Sequence, residues 1–394
     1  MNRRLLARTA LATALGLFGV TNALAQARET FVIGGVVPLS GAYALLGTSM
    51  QKGVDLAIEM RGARALSKPI KVLWEDTETK PQTSVQKANK VLSAGANVLF
   101  GDGASGQTMA IMPVADQRKV PLIVTTSAAD GITGANRNRF TFRTANLAFM
   151  ETRMASEFVK KAGLKKIYAL AVDQPVGRDT WATMKGSLAA MGVSVVGEDF
   201  APIGSQDYSV IVDKVIKSGA DGLFVVTTGS DTITLLKQAG QVRLPGRLKI
   251  FGTGFLDDDA AMAVGPDVVG VNTVARYHFS YDTPANKAFV EAYRKKYNEW
   301  PNAYAGHAYD GINWFLDVVE KSGSWESEKW VAAFEGSSHP NSVFGPRQMR
   351  ACDHQAIGVG LWGEATKGQA PQPPLMLKIT DTFPPEGLYP PCPK

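Results

Sequence analysis

Leu99-Phe100-Gly101-Asp102-Gly103-Ala104-Ser105-Gly106-Gln107-Thr108 reads as the C-terminal end of a buried strand, a turn of Gly and small residues, and a helix start. Such a turn presents backbone N–H groups and the Ser105 hydroxyl at a helix N-terminus, where partial positive charge accumulates. Small side chains let a ligand carboxylate approach the main chain closely. The same features suit any strand-to-helix turn of an α/β protein. What the turn serves depends on the rest of the chain.

Upstream of it, 31–37 reads as a fully buried strand ended by Pro38-Leu39-Ser40-Gly41. A helix over 47–60, a strand over 70–74, a helix opened by Pro81 and reaching 94, and a strand over 97–100 follow. Downstream come a helix over 108–118, a strand over 120–125 ending in Thr126-Ser127-Ala128-Ala129, and a strand over 140–143. The pattern then repeats. Helices are expected over 147–162, from the turn 173–177 to 191, over 208–217 and over 232–241. Strands are expected over 166–172, 193–198, 221–227, 249–252 and 269–275. Strict alternation implies parallel sheets with helices on both faces, an α/β fold. One open sheet does not comfortably hold this many strands, so two lobes are expected. Small molecules bind such sheets at the carboxyl ends of the strands.

The last third is expected to hold helices over 284–298, 304–321 and 329–334, and extended returns at 343–346 and 356–362. From 369 onward the chain is dense in Pro and reads as a surface tail with an edge strand at 376–379.

Residues 1–25 combine Arg3, Arg4 and Arg8, a short apolar stretch and Ala23-Leu24-Ala25, which is a secretory signal peptide pattern. No later segment is long and apolar enough to span a bilayer. Without the three leader arginines, the 42 Lys and Arg fall to 39 against 36 Asp and Glu, a net charge of +3. Charges of both signs are interspersed, which argues against nucleic acid as a partner. Cys352 and Cys392 are the two cysteines, and in an oxidising compartment they are expected to pair. The four His lie far apart, with no i,i+4 pair, so no metal is expected.

Enzyme signatures are sparse. Gly101-x-Gly103-x-x-Gly106 fits a dinucleotide pattern formally, but it follows the third strand rather than the first. No nucleophile elbow, P-loop, H-E-x-x-H or C-x-x-C is found. Asp257-Asp258-Asp259 reads as a solvated helix start. A cleft between lobes would draw its donors from Ser105, Thr126, Ser127 and Thr228, and its apolar walls from Leu46, Val176, Phe255 and Tyr277.

Five short stretches, in this order and spacing, carry a resemblance: Val37-Pro38-Leu39-Ser40-Gly41, Phe100-Gly101-Asp102-Gly103-Ala104-Ser105, Thr125-Thr126-Ser127-Ala128, Phe142-Arg143-Thr144 and Lys237-Gln238-Ala239-Gly240. Over 31–363 the chain resembles the periplasmic leucine/isoleucine/valine-binding proteins, the substrate-binding subunits of branched-chain amino-acid ABC importers. The resemblance implies two doubly wound parallel-sheet lobes joined by a three-strand hinge, the type I periplasmic binding fold. Lobe 1 would be 29–144 plus 278–343, lobe 2 would be 145–277 plus 344–361, and 362–394 would be the tail. It implies that Gly103, Ala104, Ser105, Ser127, Ala128 and Ala129 hold a ligand carboxylate, and that Leu46, Val176 and Thr228 line the pocket. It also implies a periplasmic, monomeric, non-enzymatic protein without a cofactor, whose partners are a small solute and membrane permease subunits.

In the family an acidic residue near Gly254 receives the α-ammonium, yet Gly252-Thr253-Gly254-Phe255 carries no carboxylate. Leu46, Val176 and Thr228 replace the usual aromatic residues, and Ala129 the usual Thr. An unpaired ammonium in a closed cleft costs several kcal/mol. The expected ligand is therefore a small carboxylate without an α-amine, an aromatic or short aliphatic acid. Asp102, Asp173 or Asp257 would have to supply the missing charge if the ligand is an amino acid, which stands as the alternative. A ligand-sensing receptor module is the remote alternative.

Overall fold

Apolar runs of Val, Ile, Leu and Phe build the sheets seen in a computed structural model, which describes residues 29–392. The leader expected over 1–25 lies outside the described residues. In the first sheet are β1 (Phe31–Val37), β2 (Arg64–Ala65), β3 (Lys68–Asp76), β4 (Val98–Gly101), β5 (Leu122–Val124) and β6 (Thr141–Arg143), in the order β2-β3-β1-β4-β5-β6. All neighbours in it are parallel except β2 and β3. The second sheet holds β7 (Lys166–Val172), β8 (Ser194–Ala201), β9 (Gly222–Val226), β10 (Lys249–Gly252) and β11 (Asn272–Val274), all parallel. A small third sheet joins β12 (Ser338–His339), β13 (Arg347–Met349) and β14 (Ala356–Ile357). Then β15 (Gly360–Lys367) and β16 (Leu375–Phe383) return to the second sheet, antiparallel, in the order β16-β15-β11-β10-β9-β7-β8. The core strands are buried on both faces, as parallel sheets flanked by helices require: every residue of β4 and β9 is buried.

The helices are α1 (Ala44–Met60), α2 (Pro81–Ser93), α3 (Ser105–Arg118), α4 (Ala148–Ala162), α5 (Pro175–Ala190), α6 (Ser209–Lys217), α7 (Ser230–Gln241), α8 (Asp258–Val264), α9 (Pro284–Tyr297), α10 (Ala303–Ser322) and α11 (Ser327–Phe334). Pro opens α2, α5 and α9, where its missing N–H is no loss. Asn302 caps α10 by accepting from the Tyr304 and Ala305 amides at 3.1 and 3.0 Å. This helix lies hard against α1: a Cβ at Gly53 would come within 2.3 Å of the Ala305 carbonyl oxygen. That approach sets where Tyr304, at the start of α10, points.

The chain passes between the two large sheets after β6, after β11 and between β14 and β15. Buried polar groups hold the crossing region. The Asp310 carboxylate takes Arg347 Nη1 and His339 Nε2 at 3.2 Å each and the Val343 amide at 2.9 Å. Burial alone would raise Asp310, but these partners outweigh it and bring its pKa to about 2.

Two expectations for the last third change. Residues 343–346 form a turn, not an extended return. Over 362–392 the chain is no loose tail: it completes β15, and the edge strand read at 376–379 extends over Leu375–Phe383 at the edge of the second sheet. Beyond β16, the Tyr389 hydroxyl bonds Gly358 N and O at 3.0 and 3.1 Å. Cys352 and Cys392 form a disulfide 40 residues apart in sequence.

Candidate functional site

Residues that follow β4, β5, β7, β9, β10 and β11 line one cavity of about 40 Å³, with the starts of α1 and α10 closing it. On the side of the first sheet, Gly103, Ala104 and Ser105 enter α3, whose N-cap residue Ala104 makes no side-chain cap. The first-turn amides of α3 therefore receive no side-chain cap from it, and a helix start of this kind can take an anion. Gly103 leaves room for its neighbours here: a Cβ would lie 2.5 Å from Leu46 Cδ2 and 3.0 Å from Pro38 Cγ. Leu46 itself lines the cavity, as do Ser127 and Ala128 after β5.

The turn is braced from below. Asp102 is fully buried; its carboxylate accepts from Ser84 Oγ at 2.8 Å and from the Gly103 amide. Burial raises its pKa to about 7, against hydrogen bonds that pull it down. Expected as a ligand contact, Asp102 is instead a strut that faces the protein body. Ser127 Oγ is taken up by Thr108 Oγ1 at 2.7 Å and the Asp102 carbonyl at 3.1 Å. Ser105 Oγ accepts from the Ala129 amide at 3.2 Å, and its own proton has no acceptor among the described residues. Ala129 is buried beneath the turn and does not line the cavity. Fully buried Arg143 fixes this strand end by donating to the Ala129 carbonyl at 2.6 Å and to Thr133 and Gln355.

The other side is built differently from expectation. Val176 and Thr228 line the cavity, but Gly254, Phe255 and Tyr277 do not. Phe255 packs into the core of the second sheet. Tyr277 points into the crossing region and donates to Asn286 Oδ1 at 2.7 Å. At Gly254, φ is +52° and a Cβ would lie 2.1 Å from Arg276 Nε. The guanidinium of Arg276 thus occupies the space that a side chain at 254 would need.

Arg276 lies just past β11 and lines the cavity. Its Nε and Nη2 donate to the buried Glu151 carboxylate at 2.6 and 2.9 Å. Its Nη1 has no acceptor among the described residues. Thr253 also lines the cavity, and its buried Oγ1 has no partner among the described residues. Tyr43 and Tyr304 line it too; burial first, then nearby carboxylates, raise both pKa values, so both phenols are neutral.

The two sides touch. Thr228 Oγ1 and Tyr304 Oη lie 2.8 Å apart, Asn302 Nδ2 donates to Asp259 Oδ2 at 2.6 Å, and Ser230 Oγ reaches the Ala42 carbonyl at 3.4 Å. This is a closed arrangement of the lobes.

None of the acids considered as a source of missing charge lines the cavity. Asp173 pairs with Arg178 at 2.7 Å on the exposed rim. Asp257 caps α8 by accepting from the Ala260 amide at 2.8 Å. It is a helix start as read, but not a solvated one: burial, with Asp259 beside it, raises its pKa to about 7. The lining therefore holds Ser, Thr, Tyr, Gln and one Arg, but no Asp, Glu, His or Cys among the described residues. Such a set can bind a solute but offers no nucleophile with a general base.

Tyr43, Gln174, Thr253, Arg276 and Tyr304 were not among the expected site residues. Applied to the strand read over 269–275, the strand-end rule would have reached Arg276. Tyr304 carries no such signal.

The sequence matches the periplasmic binding protein family over residues 30–369. It is 26% identical to Leu/Ile/Val-binding protein homolog 6 of Brucella melitensis over 335 residues, 82% of this chain and 84% of that one. The fold is similar to that of an ABC-transporter solute-binding protein from Rhodopseudomonas palustris BisB5, solved in complex with 3,4-dihydroxybenzoic acid. There the TM-score is 0.85 at 25% identity, covering 91% of this chain and 98% of that one. A leucine-binding protein from Thermotoga maritima shares the fold, with a TM-score of 0.82 at 20% identity over 90% and 99% of the two chains. With its two α/β lobes closed on a solute-sized cavity, the chain belongs to the periplasmic binding protein family.

Proposed function

We propose that this protein captures a small carboxylate lacking an α-ammonium group and delivers it to the permease of an ABC importer. One observation carries the reading: among the described residues no carboxylate lines the cavity, and its one ionised lining group, Arg276, is already paired with Glu151. An α-ammonium brought there would find no counter-ion, at a cost of several kcal/mol. The carboxylate of the solute is received by the amides and hydroxyl at the start of α3. The cavity of about 40 Å³ holds three to four waters at roughly 10–15 Å³ each, so the site is that of a small solute. The aromatic acid bound by the R. palustris relative supports the same class.

Closure follows from the site being split between lobes: only the closed form contacts the solute from both sides. The closed form is the one the permease reads. The signal-peptide pattern of residues 1–25 puts the protein in the periplasm, and no helix among the described residues is long and apolar enough to cross a membrane. The alternative, an amino-acid binder, is favoured by the leucine-type relatives. Calorimetric titration with benzoate, short aliphatic acids and leucine separates the two. Benzoate-class binding is expected. Tight leucine binding with no response to the acids overturns the reading.

A further inference from the structure

We infer that Arg276 and Thr253 form a second polar pole, which reads a neutral oxygen substituent at the end of the solute away from its carboxylate. The inference rests on the acid-binding reading above and narrows it to a hydroxy- or keto-substituted small acid.

The two poles stand on opposite lobes. The carboxylate pole belongs to the start of α3, after β4; Thr253 and Arg276 follow β10 and β11 in the second sheet. Thr253 is only 2% exposed and is one of the residues around the cavity, and its buried hydroxyl has no partner among the described residues. A buried hydroxyl left unpaired is costly, so its presence at a binding cavity points to a ligand atom that completes it. Arg276, which also lines the cavity, keeps donor capacity of its own. Glu151 takes two of its nitrogens in a fork, and Nη1 remains without an acceptor among the described residues.

Charge decides what that ligand atom is. Guanidinium N–H groups only donate, so the ligand group must accept. Glu151 already neutralises Arg276. A second carboxylate at this pole would find its cation already matched by Glu151. A hydroxyl or carbonyl oxygen accepts from Arg276 Nη1 without adding charge, and a hydroxyl can also donate to Thr253 Oγ1. Tyr43 and Tyr304, held neutral, complete an uncharged surround.

The test is calorimetric titration of the whole protein with benzoate, 3- and 4-hydroxybenzoate and terephthalate, repeated on Thr253→Val and Thr253→Ser. The wild type is expected to bind one of the hydroxybenzoates about tenfold more tightly than benzoate, and terephthalate more weakly than either. Thr253→Val should bring the hydroxybenzoate-to-benzoate ratio to within about twofold of one, and Thr253→Ser should keep it. Equal affinity for benzoate and both hydroxybenzoates, a preference for the diacid, or a preference that survives Thr253→Val overturns the inference while the acid-binding reading stands. Failure of every acid to bind overturns both.

Discussion

Asp102→Asn probes how the turn at the start of α3 is held. Asp102 is fully buried, and burial lifts its pKa from 3.8 to about 7. Between those values the folded protein keeps a proton that the unfolded chain has lost. The contribution to stability is therefore complete below 3.8 and is lost as pH rises through about 7. The gap corresponds to roughly 4 kcal/mol. Asparagine keeps the shape and does not titrate. Its amide oxygen can still accept from the Gly103 N–H, and Ser84 Oγ can turn to accept from its NH₂. Urea unfolding of both proteins from pH 4 to pH 8 reads the effect. The difference in unfolding free energy should move in favour of Asp102→Asn by up to roughly 4 kcal/mol across that range. Asp257, also raised to about 7, titrates in both proteins and cancels. A difference that stays flat with pH refutes the reasoning.

Cys392→Ser should cost roughly 4 kcal/mol of stability by releasing a loop that spans 40 residues. Reductant should lower the thermal midpoint of the wild type and leave the variant unmoved. Gly254→Ala must displace the Arg276 guanidinium from 2.1 Å and hold Ala at φ +52°, at about 1–2 kcal/mol for the backbone alone. Its acid affinity, measured by titration, should fall with its stability. Asp310→Ala strands the Arg347 charge and should cost about 3–5 kcal/mol in denaturant unfolding. Because Asp310 is lowered to about 2, the stability it brings is present above 3.8 and lost as pH falls toward 2. Small-angle scattering should show compaction when a bound acid is added to the ligand-free protein.

What the residue order made legible is what local chemistry decides. The apolar runs at 31–37, 166–172 and 249–252 are the observed β1, β7 and β10, because a strand buried on both faces must be apolar throughout. The turn after β4 is at the cavity because parallel sheets place their strand ends there. Side-chain direction was not legible. Phe255 and Tyr277 sit close to strand ends as Thr253 and Arg276 do, but they turn into cores, where aromatic area is best spent. Arg276 makes sense only beside Glu151, 125 residues earlier, and no local pattern joins them. Asp102 was misread because a carboxylate beside a Gly-rich turn looks like a contact, and its burial shows only in three dimensions. The Pro-rich end let the edge strand be read at 376–379 but hid its full extent as β16, since Pro marks the loops around the strand and not the strand itself.

The second sheet is closed by strands that arrive late. β15 pairs with β11 across all the intervening helices, and β16 covers β15. Until those last strands emerge during synthesis, β11 is a bare edge that another chain can pair with. Cys392 comes later still, so its oxidation marks a molecule whose every strand is in place. A product cut short before β15 keeps both a sticky edge and a free Cys352, two handles by which unfinished copies can be told from finished ones.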